Sequence, residues 1–258
     1  MKSLRESLGF GRTTSNLECP KSAPGILPHQ EDEHLQRLWI DIIKSEEGCR
    51  RLIREVPTYQ QSIRDVQESE EKLVKDLGNT GVTAFSPKLR QANDEYLSVV
   101  MEVKEKSENT SSDIQQCMGD PVKAYHGLYE PLDGVRRRRD VQLLELNKCQ
   151  DRLDKLKLKL KRTTDVVVER DALLKQLKEV NAQLLQESHK FHSLREPFLK
   201  PCIQAYIQSQ VDYYGSSASQ YNKQIQISRG AHQLKESEFD TIMTDHLQRI
   251  KSLKIVAT

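Results

Sequence analysis

The sequence is short of the residues that fill globular cores. Across 258 residues only 36% are apolar and 5% aromatic, with one tryptophan, whereas 30% are charged. An ordinary domain of this length is richer in apolar side chains. The composition therefore leaves two classes, disorder or long helices with a narrow buried stripe. No run of about 18 apolar residues occurs, so no helical membrane span is expected. The opening residues, MKSLRESLGFGRTTS, lack the apolar centre of a secretory signal. Cysteine is also sparse. Cys19, Cys49, Cys117, Cys149 and Cys202 are odd in number, far apart and without a CxxC pair. They are expected to be reduced thiols in a cytoplasmic chain rather than a disulfide framework or a zinc site. In that compartment the sequon Asn109-Thr110-Ser111 is expected to be idle.

Catalytic signatures are missing as well. There is no GxxxxGK[ST], HExxH, GxSxG or EF-hand loop. No catalytic group, cofactor or metal is expected, and the chain is read as a non-enzyme. His189 and His192 share a helix face but lack further ligands, so they read as a surface pair. Cys49, Cys117 and Cys149 fall at seam positions and read as small core residues. Tyr213 and Tyr214 read as core or interface packing.

What is present is periodicity. The 3-4 ladder Leu35, Leu38, Ile42, Ser45, Cys49, Leu52, Val56, Tyr59, Ile63, Val66, Glu70, Leu73, Leu77 is apolar at all but Ser45 and Glu70. Such a ladder marks a coiled-coil-like seam. Pro57 lies within it and predicts a kink or an opened turn. Gly78-Asn79-Thr80-Gly81 ends this first helix. Ser86 then offers an N-cap and Pro87 a first helical residue. The spacing Tyr96, Val100, Val103, Ile114, Cys117, Ala124, Leu128, Leu132, Val135, Leu146, Cys149, Leu153, Leu156, Leu160 predicts a second helix, kinked at Pro121 and Pro131. Lys155 to Lys161 reads KLKLKLK, a strand-like alternation close to Val166-Val167-Val168. The ladder entering it favours helix over a hairpin. A third helix is predicted from Leu173 through Phe191, Tyr206 and Tyr221, kinked at Pro197 and Pro201 and ending near Ser228-Arg229-Gly230.

The predicted organisation is a flexible lead over 1–30 and a helical domain over 31–230, with helices near 33–77, 87–162 and 166–228. A tail over 231–258 holds one short helix. In the lead, Met1, Leu4 and Leu8 share a face near Lys2, Arg5 and Arg12. A short helix on membrane and a disordered end both fit this pattern. A reversal near residue 164 would set position x against 328 minus x and bring Pro131 opposite Pro197. A helix of about 75 residues is roughly 110 Å long, far beyond a globular helix. Helices with so narrow a stripe need a partner to complete their core.

Charge is uneven along this rod. The chain carries +2 overall, yet residues 136–162 carry eleven basic side chains against four acids. The basic set is Arg136, Arg137, Arg138, Arg139, Lys148, Arg152, Lys155, Lys157, Lys159, Lys161 and Arg162. Each Lys or Arg near an anionic leaflet contributes about 1 kcal/mol, so the stretch is read as a membrane-binding arm. A solvated helix face is the plain alternative. Nucleic acid or nuclear import through Arg136–Arg139 is a further one, but the stretch lacks aromatic residues for stacking and no nucleic-acid motif occurs.

Together the lead, the three proline-kinked helices and the basic arm resemble the BAR-domain family, and within it the amphiphysin, Rvs and bridging-integrator branch. Pro121-Val122-Lys123-Ala124-Tyr125 through Pro131-Leu132 to Arg136–Asp140 is similar to that branch's middle helix. Gln210-Val211-Asp212-Tyr213-Tyr214 is similar to part of its third helix. Leu253-Lys254-Ile255-Val256 is similar to the tail of bridging-integrator proteins that lack an SH3 domain. The likeness covers roughly residues 33–256. It implies an all-α fold, an antiparallel three-helix coiled coil that forms a crescent-shaped homodimer. It implies binding of anionic phospholipid membrane, curvature sensing or shaping, and roles in endocytosis, tubulation and actin organisation. The alternative reading is a dimeric adaptor for a small GTPase, an actin regulator or another cytoskeletal protein.

Overall fold

The structure is a computed structural model that describes residues 17–159, 162–228 and 236–253; among these, every regular element is helical. The elements are α1 (His29–Gly78), α2 (Gly81–Phe85), α3 (Pro87–Ile114), a π-helical turn (Gln115–Gly119), α4 (Asp120–His126), α5 (Tyr129–Leu158), α6 (Thr164–Ser228) and α7 (Glu236–Lys251). The readings made on residues 1–16, on Leu160 and Lys161, and on residues 254–258 lie outside the described residues.

The long helices form where the ladder predicts them. Glu31 and Asp32 in the first turn of α1 and Lys75 in its last turn oppose the helix dipole favourably. Pro57 sits inside α1 without ending it. A proline there forfeits one i→i−4 bond, and packing of the apolar face carries the helix past it. Ser86 caps α3, accepting a bond from the Leu89 N–H at 3.4 Å. The KLKLKLK stretch is helical as far as Leu158.

The middle helix differs from the continuous rod expected over 87–162. It is divided by the π turn and by Gly127–Leu128. Pro121 follows the π turn as the second residue of α4, and Pro131 is the third residue of α5. Pro131 therefore sits in a first turn, where its missing N–H costs nothing, whereas Pro121 lies in continuous helical backbone just past the π turn, where the i→i−4 ladder is already interrupted.

The chain divides into two compact units. One joins the residues up to Ile63 with Asn109–Gln210; the other joins Arg64–Glu108 with the residues from Val211 onward. In the first unit α1 runs antiparallel to the middle helix. Tyr129 Oη donates to Ser45 Oγ at 2.8 Å, and Gln60 Nε2 donates to the Ser111 carbonyl at 2.7 Å. The core gathers Leu35, Trp39, Ile42, Cys49 and Val56 of α1 with Ile114, Met118, Val122, Tyr125, Tyr129, Leu132 and Leu184. Tyr125 stacks on Phe191 and Phe198 and meets Tyr129 edge-on.

The register between α5 and α6 is set by Arg139 with Asn181 and by Arg152 with Glu169. In both pairs the residue numbers total about 320, not 328, because α5 ends at Leu158 and α6 begins at Thr164. Pro131 therefore lies level with His189 rather than Pro197. It is Pro121 that falls level with the Pro197–Pro201 segment.

The second unit has a thinner interior. Among the described residues, Val74, Val100, Val103 and Tyr213 are its buried apolar ones. Glu70 accepts bonds from Tyr96 and Tyr221 at 2.9 Å. Burial and this carboxylate push the Tyr96 hydroxyl up to about 12 and Tyr221 higher still. Glu71 pairs with Lys104 at 2.7 Å and with Lys75; these ammonium groups hold its carboxyl down to about 2. Gly78 ends α1 where a Cβ would lie 2.7 Å from the Asn93 amide nitrogen, so any larger residue would displace that side chain. Past Ile63 the buried face of α1 moves by one position. Gln67 and Val74 are inside, while Val66, Leu73 and Leu77 are exposed. A straight helix drifts about 20° per heptad against a strict seven-residue repeat, so a fixed ladder leaves the buried face after several heptads.

Candidate membrane-binding face

The basic stretch on α5 has two fates. Arg136 and Arg139 fall on the ladder that also carries Leu132, Leu143 and Leu146, so they turn inward: they are 5% and 0% exposed. Arg139 Nη2 lies 3.1 Å from Asp32, Nη1 lies 3.0 Å from Asp140, and Nε donates to Asn181 at 2.9 Å. Arg136 pairs with Asp133 at 2.6 Å and with Asp140 at 3.1 Å. Burial of a guanidinium demands this many acceptors. Both residues were expected to face lipid. They are structural, and their charge is consumed inside the protein.

What they hold is residues 17–28, here called the strap, which was expected to belong to a flexible lead. Asp140 accepts the Lys21 N–H at 3.0 Å, Asp32 accepts the Ala23 N–H at 3.1 Å and the Ser22 hydroxyl at 2.6 Å, and Arg139 donates to the Lys21 carbonyl. Ala23 and Leu27 then pack with Leu143, Leu146 and Leu177 in a separate apolar cluster.

The other described basic side chains of the stretch point outward. Arg138, Lys148, Arg152, Lys155 and Lys159 follow one another at 3-4-7 spacings on one side of α5, interrupted by Glu145. Arg138, Lys148, Lys155, Lys159 and Arg162 are exposed and make no ion pair with the described residues. Arg152 is paired with Glu169, Arg137 with Glu130 and Asp133, and Lys157 with Asp154 at 3.8 Å. The face is thus a row of unneutralised cations, suited to an extended anionic surface rather than to one small ligand.

No three His, Cys, Asp or Glu side chains among the described residues are grouped to hold a metal. Burial pushes the Cys49 thiol and the Tyr129 hydroxyl upward, away from their nucleophilic anions. No described helix is long and apolar enough to cross a membrane. Tyr213 is buried while Tyr214 is exposed.

Comparison with known proteins places this geometry. The family model for the BAR domain matches residues 25–230. The bridging integrator 3 homolog of Xenopus laevis is 29% identical over 151 residues, covering 56% of this chain and 59% of that protein. The chain thus spans about three-fifths of the length of the curated relative it matches. The amphiphysin BAR domain from Drosophila superposes with a TM-score of 0.63 at 13% identity, covering 88% of this chain and 99% of that one. At that identity the likeness speaks for the fold. The chain belongs to the BAR-domain family. That family consists of helical scaffolds rather than enzymes; BAR domains dimerise, bind membranes and sense or shape their curvature.

Proposed function

We propose that this chain is a cytoplasmic, peripheral membrane scaffold that binds anionic phospholipid as a homodimer through the outward face of α5. The observation that carries the reading is the unpaired row Arg138, Lys148, Lys155, Lys159 with Arg162. At about 1 kcal/mol per cation near an acidic leaflet, five from each of two copies supply several kcal/mol, enough for reversible and salt-sensitive binding. Lys161 belongs to the same set by sequence. Endocytosis, membrane tubulation and actin organisation are the processes in which such a scaffold acts.

Dimerisation has its own support in the second unit. Val66, Leu73 and Leu77 recur on one side of α1, and Val211, Tyr214 and Ile225 on one side of α6, all exposed in the single chain. Two apolar stripes on neighbouring helices, in a unit with few buried apolar residues, call for a second copy to cover them.

The test is cosedimentation with phosphatidylserine-containing and neutral liposomes at low and high salt. The full chain is compared with one carrying Arg138→Glu, Lys148→Glu, Lys155→Glu and Lys159→Glu. Salt-sensitive pelleting with acidic liposomes, lost in the variant while its dimer and helicity persist, is expected. Equal pelleting of both proteins overturns the assignment of this face. No pelleting of either protein favours the adaptor for a small GTPase or actin regulator.

A further inference from the structure

The outward face of α5 is not basic alone. Val141, Leu144 and Leu158 are 54%, 46% and 87% exposed. At 100° per residue the three fall within an arc of about 100° on one side of the helix, along roughly 26 Å of its length. Over residues 137–159 no apolar side chain outside that arc is exposed. The strap seals Asp140, Leu143 and Leu146 and leaves Val141 and Leu144 open.

Cations are interleaved with these apolar residues rather than set apart from them. Arg137, Lys148, Lys155 and Lys159 lie in the same arc, and Asp151 is the one exposed acid within it. Over residues 137–159 seven exposed Lys and Arg stand against three exposed acids, Glu145, Asp151 and Asp154, a surplus of 7 − 3 = +4. Lys148, Lys155 and Lys159 make no ion pair with the described residues.

The interleaving selects the occupant. A protein partner that covered Leu144 and Leu158 would also bury the ammonium groups of Lys148 and Lys155. Burial of unpaired charge is costly, and the cores of protein interfaces are depleted of lysine. The phosphate backbone of a nucleic acid would satisfy the cations and leave the apolar side chains in water. A bilayer surface accommodates both. Lysine stems lie along apolar surface while their heads stay at the phosphates, and leucine or valine between them reaches the boundary of headgroup and acyl chain.

We infer that the α5 face is a two-component lipid surface: its cations bind acidic headgroups, and Val141, Leu144 and Leu158 enter the acyl boundary of the same leaflet. This rests on the membrane reading proposed above and adds to it an attraction that salt does not screen.

The test uses the full chain with Leu144→Gln and Leu158→Gln together, both at exposed positions outside the core. Affinity for phosphatidylserine-containing liposomes is measured from low to high salt beside the parent. Loss of an apolar contact lowers affinity by the same factor at every salt concentration, whereas loss of cations flattens the salt dependence. The expected result is a fall of roughly tenfold or more throughout, with parallel salt plots. Equal affinity of variant and parent overturns the inference and leaves the electrostatic face standing. If the parent binds acidic liposomes at no salt concentration, the membrane reading itself fails, a separate result. A second variant, Leu158→Trp, reads depth directly. The chain's single tryptophan, Trp39, is buried in the core, so the new indole supplies any change in emission. With acidic liposomes that emission should shift to the blue and be quenched by lipids brominated on their acyl chains. Binding without shift or quenching overturns the inference.

Discussion

Arg139 and Lys155 belong to one basic run on one helix, yet they do opposite work. Arg139 lies on the ladder of Leu132 and Leu146 and is sealed against Asp32, Asp140 and Asn181. Lys155 lies off that ladder and meets solvent. The difference is angular: charge density along the sequence marks a region, but helical phase decides which charges are structural and which are available. A neutralised guanidinium in the interior supports the fold, and an unneutralised ammonium outside it can support binding.

The comparison can be broken most severely at Arg139. Arg139→Met leaves Asp32 buried without its guanidinium and Asp140 with Arg136 alone, and removing one member of a buried charge cluster costs about 3–5 kcal/mol. Urea denaturation should show that loss, and a change below about 1 kcal/mol would mean the strap contributes little. Next comes Lys155→Gln with Lys159→Gln. Two exposed cations account for about 1 kcal/mol each at a membrane, so affinity for acidic liposomes should fall roughly tenfold or more. Stability should stay within about 0.5 kcal/mol of the parent. A smaller effect of opposite sign is expected from Glu169→Gln, which releases Arg152 from its pair. Liposome affinity should rise by up to about fivefold, corresponding to about 1 kcal/mol, and a fall would show that Glu169 does not restrain Arg152.

The smallest effect belongs to the half-buried triad of the second unit, Glu71 with Lys104 and Lys75. Lys104 and Lys75 hold the Glu71 carboxyl down to about 2. A depressed carboxyl stabilises the folded state above its ordinary pKa, and that contribution is lost as the pH falls from about 4.5 to about 2. The stability difference between the parent and Glu71→Gln should therefore be present at pH 7 and shrink through that window. A difference that persists unchanged to pH 2 would remove the ion pairs as its cause.

Much of this was legible in the sequence, for a physical reason. Long helices with one packed face repeat their apolar residues at 3-4 spacing, and Leu35, Ile42, Cys49 and Val56 are buried as that spacing requires. The two interruptions of the ladder are explained by partners that no local pattern reveals. Ser45 accepts the Tyr129 hydroxyl, and Glu70 accepts those of Tyr96 and Tyr221. The inward position of Arg136 and Arg139 was also readable. Asp133, Arg136 and Asp140 sit three, four and seven apart, a self-neutralising set on the face of Leu132 and Leu143. Counting net charge hid it. The register of α5 against α6 was missed by about eight in the residue total, because a reversal placed about four residues too late shifts every opposed pair by twice that. The π turn before Pro121 has no signature in periodicity, since one added residue per turn leaves the ladder almost intact over so short a span.

The strap also has a consequence for synthesis. Its Lys21 carbonyl binds Arg139, 118 residues further along the chain. At translation rates of about 5–20 residues per second, the strap waits roughly 6–24 s for its anchor to be made. Ala23 and Leu27 have no cluster to enter during that interval, because Leu143, Leu146 and Leu177 are made later still. The first unit of this protein can close only after Arg139 and Leu177 have been made, so a nascent chain stalled before residue 139 would hold α1 without the contact that fixes its start.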